Sequence, residues 1–214
     1  LHLSIRRQRQ MCIRDRIWSN IYKEISERIM NMRLLLENLE DLSPELAAEL
    51  AAVPDVEYID LWHEQTDHLD EEHPFPTPAV FIAFNTLDTE DNGVLVQDMK
   101  LQLDLYVFWE TFSDTYDGAV MQEEALNYLN LLTVLNVLFH GYTSDNFSTL
   151  RKTGFQRMDS GGAGNLYRVS FECPVRDYSA QELHGIADMA DRDITVSDGP
   201  IPERMENGEN LYEL

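Results

Sequence analysis

From Met99 to Trp109 the chain alternates with period two. Met99, Leu101, Leu103, Leu105, Val107 and Trp109 fall on one face and Lys100, Gln102, Asp104 and Tyr106 on the other. That pattern predicts a strand with one dry and one wet face. Upstream, Pro74, Pro76 and Pro78 punctuate a segment leading into Ala79-Val80-Phe81-Ile82-Ala83-Phe84, apolar on both faces, and an acidic turn from Asp88 to Gly93 joins the two runs. A doubly apolar strand beside a half-wet one predicts a sheet partly covered by other elements.

Elsewhere the period changes to that of a helix. Ile17, Ile21, Ile25, Ile29 and Met32 form one stripe with Lys23, Glu24, Glu27 and Arg28 opposite, which predicts an amphipathic helix over 17–32. Ser43 as N-cap, Pro44 at the first helical position and Glu45 in the first turn predict a short helix that stops before Pro54. Val56 to Glu64 reads as a strand with imperfect alternation, and Gln65 to His73 as an acidic connector. A long helix is predicted between Asp117-Gly118 and His140-Gly141, on the stripe Met121, Ala125, Leu129, Leu132, Leu135 and Phe139. From Leu129 onward it is apolar nearly all round, so it is buried on more than one side, with the sheet on one of them. Leu150 to Met158 and Asn165 to Val175 read as a hairpin across the glycine-rich turn Asp159 to Gly164.

The order helix, strand, two strands, long helix, two strands predicts an α+β fold: a mostly antiparallel sheet of about five strands, with the N-terminal and long central helices packed on it. Residues 17–180 form the expected domain, with a helical insert over 32–54. Residues 181–214 form an acidic, turn-rich C-terminal extension, expected to be mobile or docked on a partner.

The first sixteen residues, LHLSIRRQRQMCIRDR, show neither period and resemble translated read-through of a sequencing adapter; a basic nucleic-acid arm is the competing reading. They hold five arginines against Asp15, a net of +4, so the formal charge of −23 for 214 residues becomes −27 for residues 17–214. A chain this acidic repels phosphate backbones and anionic membrane surfaces, and favours basic or charge-complementary protein partners. No apolar run approaches the ~20 residues of a membrane-spanning helix. Of the two cysteines, Cys12 lies in the leader and Cys173 in a strand-like run, a usage that fits a reducing cytoplasm.

Candidate chemistry is sparse. His63, His68 and His73 stand among Glu64, Asp67, Asp70, Glu71 and Glu72, a donor set that suits zinc, manganese or nickel. Their spacing of five diverges by ~140° on a helix, which fits a solvated connector better than a metal cage. Ser160-Gly161-Gly162-Ala163-Gly164 lacks the Lys-Ser/Thr of a phosphate loop and opens no helix. Cys173 alternates inward with Phe171 and Val175, as a structural thiol rather than a nucleophile paired with His140 or His184. Trp62 and Trp109 read as core, since no basic groove accompanies them. No catalytic residues and no cofactor are expected, and the chain is expected not to be an enzyme.

The order of elements, with Trp62-His63-Glu64-Gln65, Phe75-Pro76-Thr77-Pro78-Ala79-Val80-Phe81-Ile82, Leu101 to Val107, Ala125 to Gly141, Phe147-Ser148-Thr149-Leu150-Arg151, Val169 to Cys173 and Asp177-Tyr178-Ser179-Ala180, resembles the tail terminator or tail completion proteins of long-tailed bacteriophages and prophages. The resemblance covers roughly residues 17–180. It implies a virion structural protein, assembled in the host cytoplasm, that caps the head-proximal end of the tail tube as a homo-oligomeric ring of six subunits. Such a ring stops tube polymerisation and forms the head–tail joining surface, with the tail tube protein and a head–tail connector protein as partners. Three loops are candidate subunit or partner contacts: Asn85 to Gln97 (Asn85, Asp88, Asp91, Asn92, Gln97), Glu110 to Gly118 (Phe112, Tyr116) and Asp159 to Asn165 (its two ends). The alternatives are another neck, connector or tail-assembly protein, a small metal-dependent enzyme using the three histidines, and an acidic decoy for a basic host protein.

Overall fold

The computed structural model describes residues 17–38, 53–68, 75–110, 116–120, 122–160 and 164–183. Helix α1 (Ile17–Met30) gives way at Asn31 to the short α2 (Met32–Glu37). Strand β1 (Tyr58–Leu61) and a 3₁₀ turn (Gln65–His68) precede the hairpin of β2 (Ala79–Asp91) and β3 (Gln97–Trp109). Helix α3 (Gln122–Phe139), the hairpin of β4 (Arg151–Met158) and β5 (Asn165–Asp177), and the short α4 (Ser179–Leu183) follow. The strands form one five-stranded sheet in the order β1-β2-β3-β5-β4, parallel between β1 and β2 and antiparallel elsewhere. This is the α+β arrangement expected. The helix predicted from Ser43 and Pro44 lies outside the described residues, as do His73, Phe112, and Gly185 onward.

One face of the sheet carries the helices. Val80 and Ile82 of β2, Leu101, Leu103, Leu105 and Val107 of β3, and Val169, Phe171, Cys173 and Val175 of β5 pack against Ile21, Ile25 and Ile29 of α1 and Leu131, Leu135 and Phe139 of α3. The isoleucine stripe is thus the buried face of α1, and Met32 extends it into α2. On α3 the buried residues are Leu131, Leu132, Val134, Leu135, Leu138 and Phe139, while Leu129 is exposed. Both α1 and α2 also touch α3, which is why a helix apolar nearly all round is tolerated. Gly141, at φ +87°, ends it in the left-handed region where glycine is favoured.

The second face departs from the alternation in two places. Tyr106 and Asp104, expected wet, are only 8% and 1% exposed. Trp62 stacks on Tyr106 with centroids 4.1 Å apart, and Phe75 packs edge-on to Phe81 and Phe108, so a satellite core of Ala79, Phe81, Tyr106, Phe108 and Leu166 covers one end of that face. Gly164 sits so close to this core that a Cβ would lie 2.8 Å from the Phe108 ring. Asp104 lies next along the same face and accepts hydrogen bonds from Asn85 Nδ2 (3.1 Å), Gln102 Nε2 (2.8 and 2.9 Å) and Ser170 Oγ (2.5 Å), so its charge is solvated by side chains from three strands.

Polar contacts fasten α1 to the loop after α3. Tyr142 Oη donates to Glu24 Oε1 (2.6 Å) and Asn146 Nδ2 to Glu24 Oε2 (2.8 Å), while Arg28 lies 3.7 Å over the Tyr142 ring and donates through Nε to the Leu138 carbonyl (2.8 Å). Burial first, and the Glu24 carboxylate second, push the Tyr142 phenol up to about 12. Tyr142→Phe removes a charge-assisted hydrogen bond and is expected to cost about 1–2 kcal/mol in urea unfolding. Because the folded pKa is raised, the phenol's contribution is intact below about pH 10 and declines toward pH 12 in the wild type, a slope the phenylalanine variant lacks.

Candidate assembly surface

The β2–β3 hairpin is longer than its composition suggests. Asn85 to Asp91, expected to be part of a loop, is strand, paired from Asn85 with Gln102 to Asp91 with Gln97 across a bulge between Thr86 and Asp88. Apart from Leu87 its residues are polar, and both of their faces are exposed, so hydrophobic alternation gives no signal there. The tip braces itself: Asn92 Nδ2 donates to Asp98 Oδ2 (2.6 Å) and Gln97 Nε2 to Asp91 Oδ1 (3.2 Å). Arg176 pairs with Asp98 through Nε (2.5 Å) and its terminal nitrogen (2.8 Å). Hydrogen bonds from Arg176, then from Asn92, hold the Asp98 carboxyl down at about 2. Leu87, Val94 and Leu95 are exposed on the same projection.

The expected contact residues separate into two groups. Asn85, Asp88, Asp91, Asn92 and Gln97 lie on the hairpin's distal half, although Asn85 also turns its amide to Asp104. Asn165, which pairs with Trp109, and the exposed Asp159 lie at the other end of β3. Twelve steps of ~3.3 Å put these ends roughly 40 Å apart. Tyr116 is 65% exposed in a turn.

Two features escaped sequence reasoning. The first is the Asp104 network. The second is the outer edge of β4, a strand exposed along most of its length that carries Arg151, Lys152, Phe155 and Arg157. A signal for it exists: three of the eleven Lys and Arg beyond residue 16 fall in its eight residues. Phe155, 51% exposed, stacks on Tyr167 (5.2 Å), which stacks in turn on Tyr128 of α3 (5.6 Å).

Of the three histidines, only the His63 side chain is described; its Nδ1 lies 3.0 Å from the Leu61 carbonyl. Among the described residues no three His, Cys, Asp or Glu side chains are grouped to hold a metal. Cys173 is buried and its thiol is pushed up to about 12 by desolvation, as expected of a structural thiol. Two shallow grooves open near the hairpin. One is lined by Asp88, Glu90, Lys100, Arg151 and Glu172, the other by Ile17, Asn146, Arg176 and Tyr178. The first contains the ion pair of Lys100 with Glu172 (2.5 Å). No helix among the described residues is long and apolar enough to cross a membrane.

No protein-family model and no curated protein matches the chain. Among solved structures, a chain described as "Virion of native gene transfer agent (GTA) particle" aligns with 66% of this chain and 91% of its own length, at 10% identity and a TM-score of 0.36. A superposition that loose carries neither family nor function across.

Proposed function

We propose that this protein is a non-enzymatic structural component of a phage or prophage tail, which caps the head-proximal end of the tail tube as a ring of six subunits. The ring stops tube polymerisation and offers the surface that joins the head through a connector protein. The observation that carries this reading is the exposed, self-braced half of the β2–β3 hairpin, Asn85–Asp91, built out from a sheet whose helix-bearing face is already packed. Strand that buries so little of itself contributes little to the core and is suited to contact with other chains. The sequence resemblance supplies the kind of partner. The charge of −27 over residues 17–214 suits a conduit for DNA, because a like-charged lumen keeps the passing duplex from adhering.

The test mixes the purified chain with the tail tube protein of the same phage. Light scattering is expected to give six times the monomer mass, and electron microscopy tubes that shorten as the chain is added. A strict monomer that leaves tube length unchanged overturns the reading.

A further inference from the structure

Among the described residues the sheet has two bare edges of opposite charge. β1 and the Trp62 amide cover the edge of β2 only as far as Ile82, so Asn85–Asp91, with Asp88, Glu90 and Asp91, pairs with no strand but β3 among the described residues. At the other side β4 pairs with no strand but β5 among the described residues and carries Arg151, Lys152 and Arg157. Its first residues are met by the end of α3, where the Lys152 amide donates to His140 Nδ1 (3.1 Å). Each edge also holds one large exposed apolar residue, Leu87 at 47% and Phe155 at 51%.

We infer that the β4 edge of one copy pairs, antiparallel, with the distal β2 edge of the next, so that the sheet runs on from subunit to subunit. This rests on the ring proposed above and specifies its joint. Charge selects the partner: a two-fold contact would set β4 against β4, base on base, or β2 against β2, acid on acid, whereas the head-to-tail contact sets base on acid. Strand direction agrees, because β2 and β4 run antiparallel within the sheet and a neighbour in the same orientation presents β4 antiparallel to β2. Faces agree as well. Phe155, Lys152 and Arg157 stand opposite Val169, Phe171 and Tyr167, and Thr89 and Asp91 opposite Met99 and Gln97, on the helix-bearing side, whereas Asp88 and Glu90, opposite Lys100 and Asp98, share the other face with Arg151. A register joining Thr89 to Phe155 sets Leu87 beside Arg157 and Asp91 near Lys152.

That register also fixes a stagger between successive copies. Phe155 pairs through Val169 with the level of Leu105, and Thr89 with the level of Met99, six positions away. The joint bypasses β1, so these six residues accumulate over the four strands β2, β3, β5 and β4, about 1.5 per strand, a shear that tilts the strands against the ring axis more than the one per strand of an eight-stranded barrel at ~36°.

Charge reversal tests this on the full chain. D88K/E90K/D91K and K152E/R157E are each expected to raise the concentration for half-assembly at least tenfold. An equimolar mixture, or one chain with all five changes, recovers assembly. As a check without charge changes, Thr89→Cys with Phe155→Cys is expected to give a ladder of disulfide-linked multimers under mild oxidation, absent from either single variant. Variants that assemble like the wild type, folded variants whose mixture stays apart, or a cysteine pair yielding no ladder overturn the edge pairing. If the wild type still forms rings and caps tubes, the capping reading survives that result; a wild type that never leaves the monomer removes both.

Discussion

Phe171→Ala is expected to lower stability by about 3–5 kcal/mol, the range for emptying a fully buried aromatic site. Phe171 is 0% exposed, in the middle of β5, with Leu103 beside it on β3 and Lys152 on β4. Its ring meets Phe139 of α3 edge-on at 5.9 Å, so it joins the long helix to the sheet. Neighbours on a central strand are held by ladders on both sides and collapse poorly into a void, which places the loss in the upper part of the range. For a chain of this size the midpoint of thermal unfolding falls by roughly 10 °C. Circular dichroism decides it: a shift under 3 °C would mean that the surrounding leucines and valines close the cavity.

The second large effect is expected at Asp104. Asp104→Ala leaves the buried Ser170 hydroxyl without its acceptor, while the half-buried Gln102 amide and the exposed Asn85 amide can turn to water, a loss of about 2–3 kcal/mol, since a buried unpaired group costs ~1–3 and the bonds to the carboxylate are lost with it. Ser170→Ala alone removes one charge-assisted donor and is expected to cost less, about 1.5–2 kcal/mol. Because the two groups touch, the double variant should be more stable than the summed single losses imply, by an interaction of about 1 kcal/mol or more. Strict additivity in urea titrations would show that Asp104 is solvated by something other than this network.

What could be read along the chain was whatever repeats locally. The isoleucines of α1, the alternation of β3 and β5, and the turn between β4 and β5 each betray an element because the buried face recurs at the period of its own backbone. The failures share the opposite cause. Asn85–Asp91 is strand by virtue of pairing with Gln97–Gln102, and with both faces in water it has no periodic apolar set. Asp104 and Tyr106 occupy the polar positions of a correctly read strand, yet they are buried because Ser170 and Asn85 arrive from other strands and Trp62 from the turn after β1. β1 spans only Tyr58–Leu61, the stretch that finds Ala79–Ile82 to pair with, although the apolar pattern ran further. Among the contact residues proposed from the sequence, the hairpin group occupies one region, whereas Asp159 and Asn165 belong to the far end of the sheet, a separation set by the length of β3.

The sequence by itself determined the order of the elements with a periodic buried face, the α+β class and the acidity, since these depend on composition and on neighbours a few residues apart. Only the tertiary structure decided which strands have bare edges. β5 enters between β3 and β4, which leaves the basic β4 outermost, and β1 stops at Leu61, which leaves the acidic half of β2 open. Strand order is a contest among pairings distant in sequence, won by the arrangement that buries the most apolar surface while satisfying the backbone, and no local pattern records its outcome.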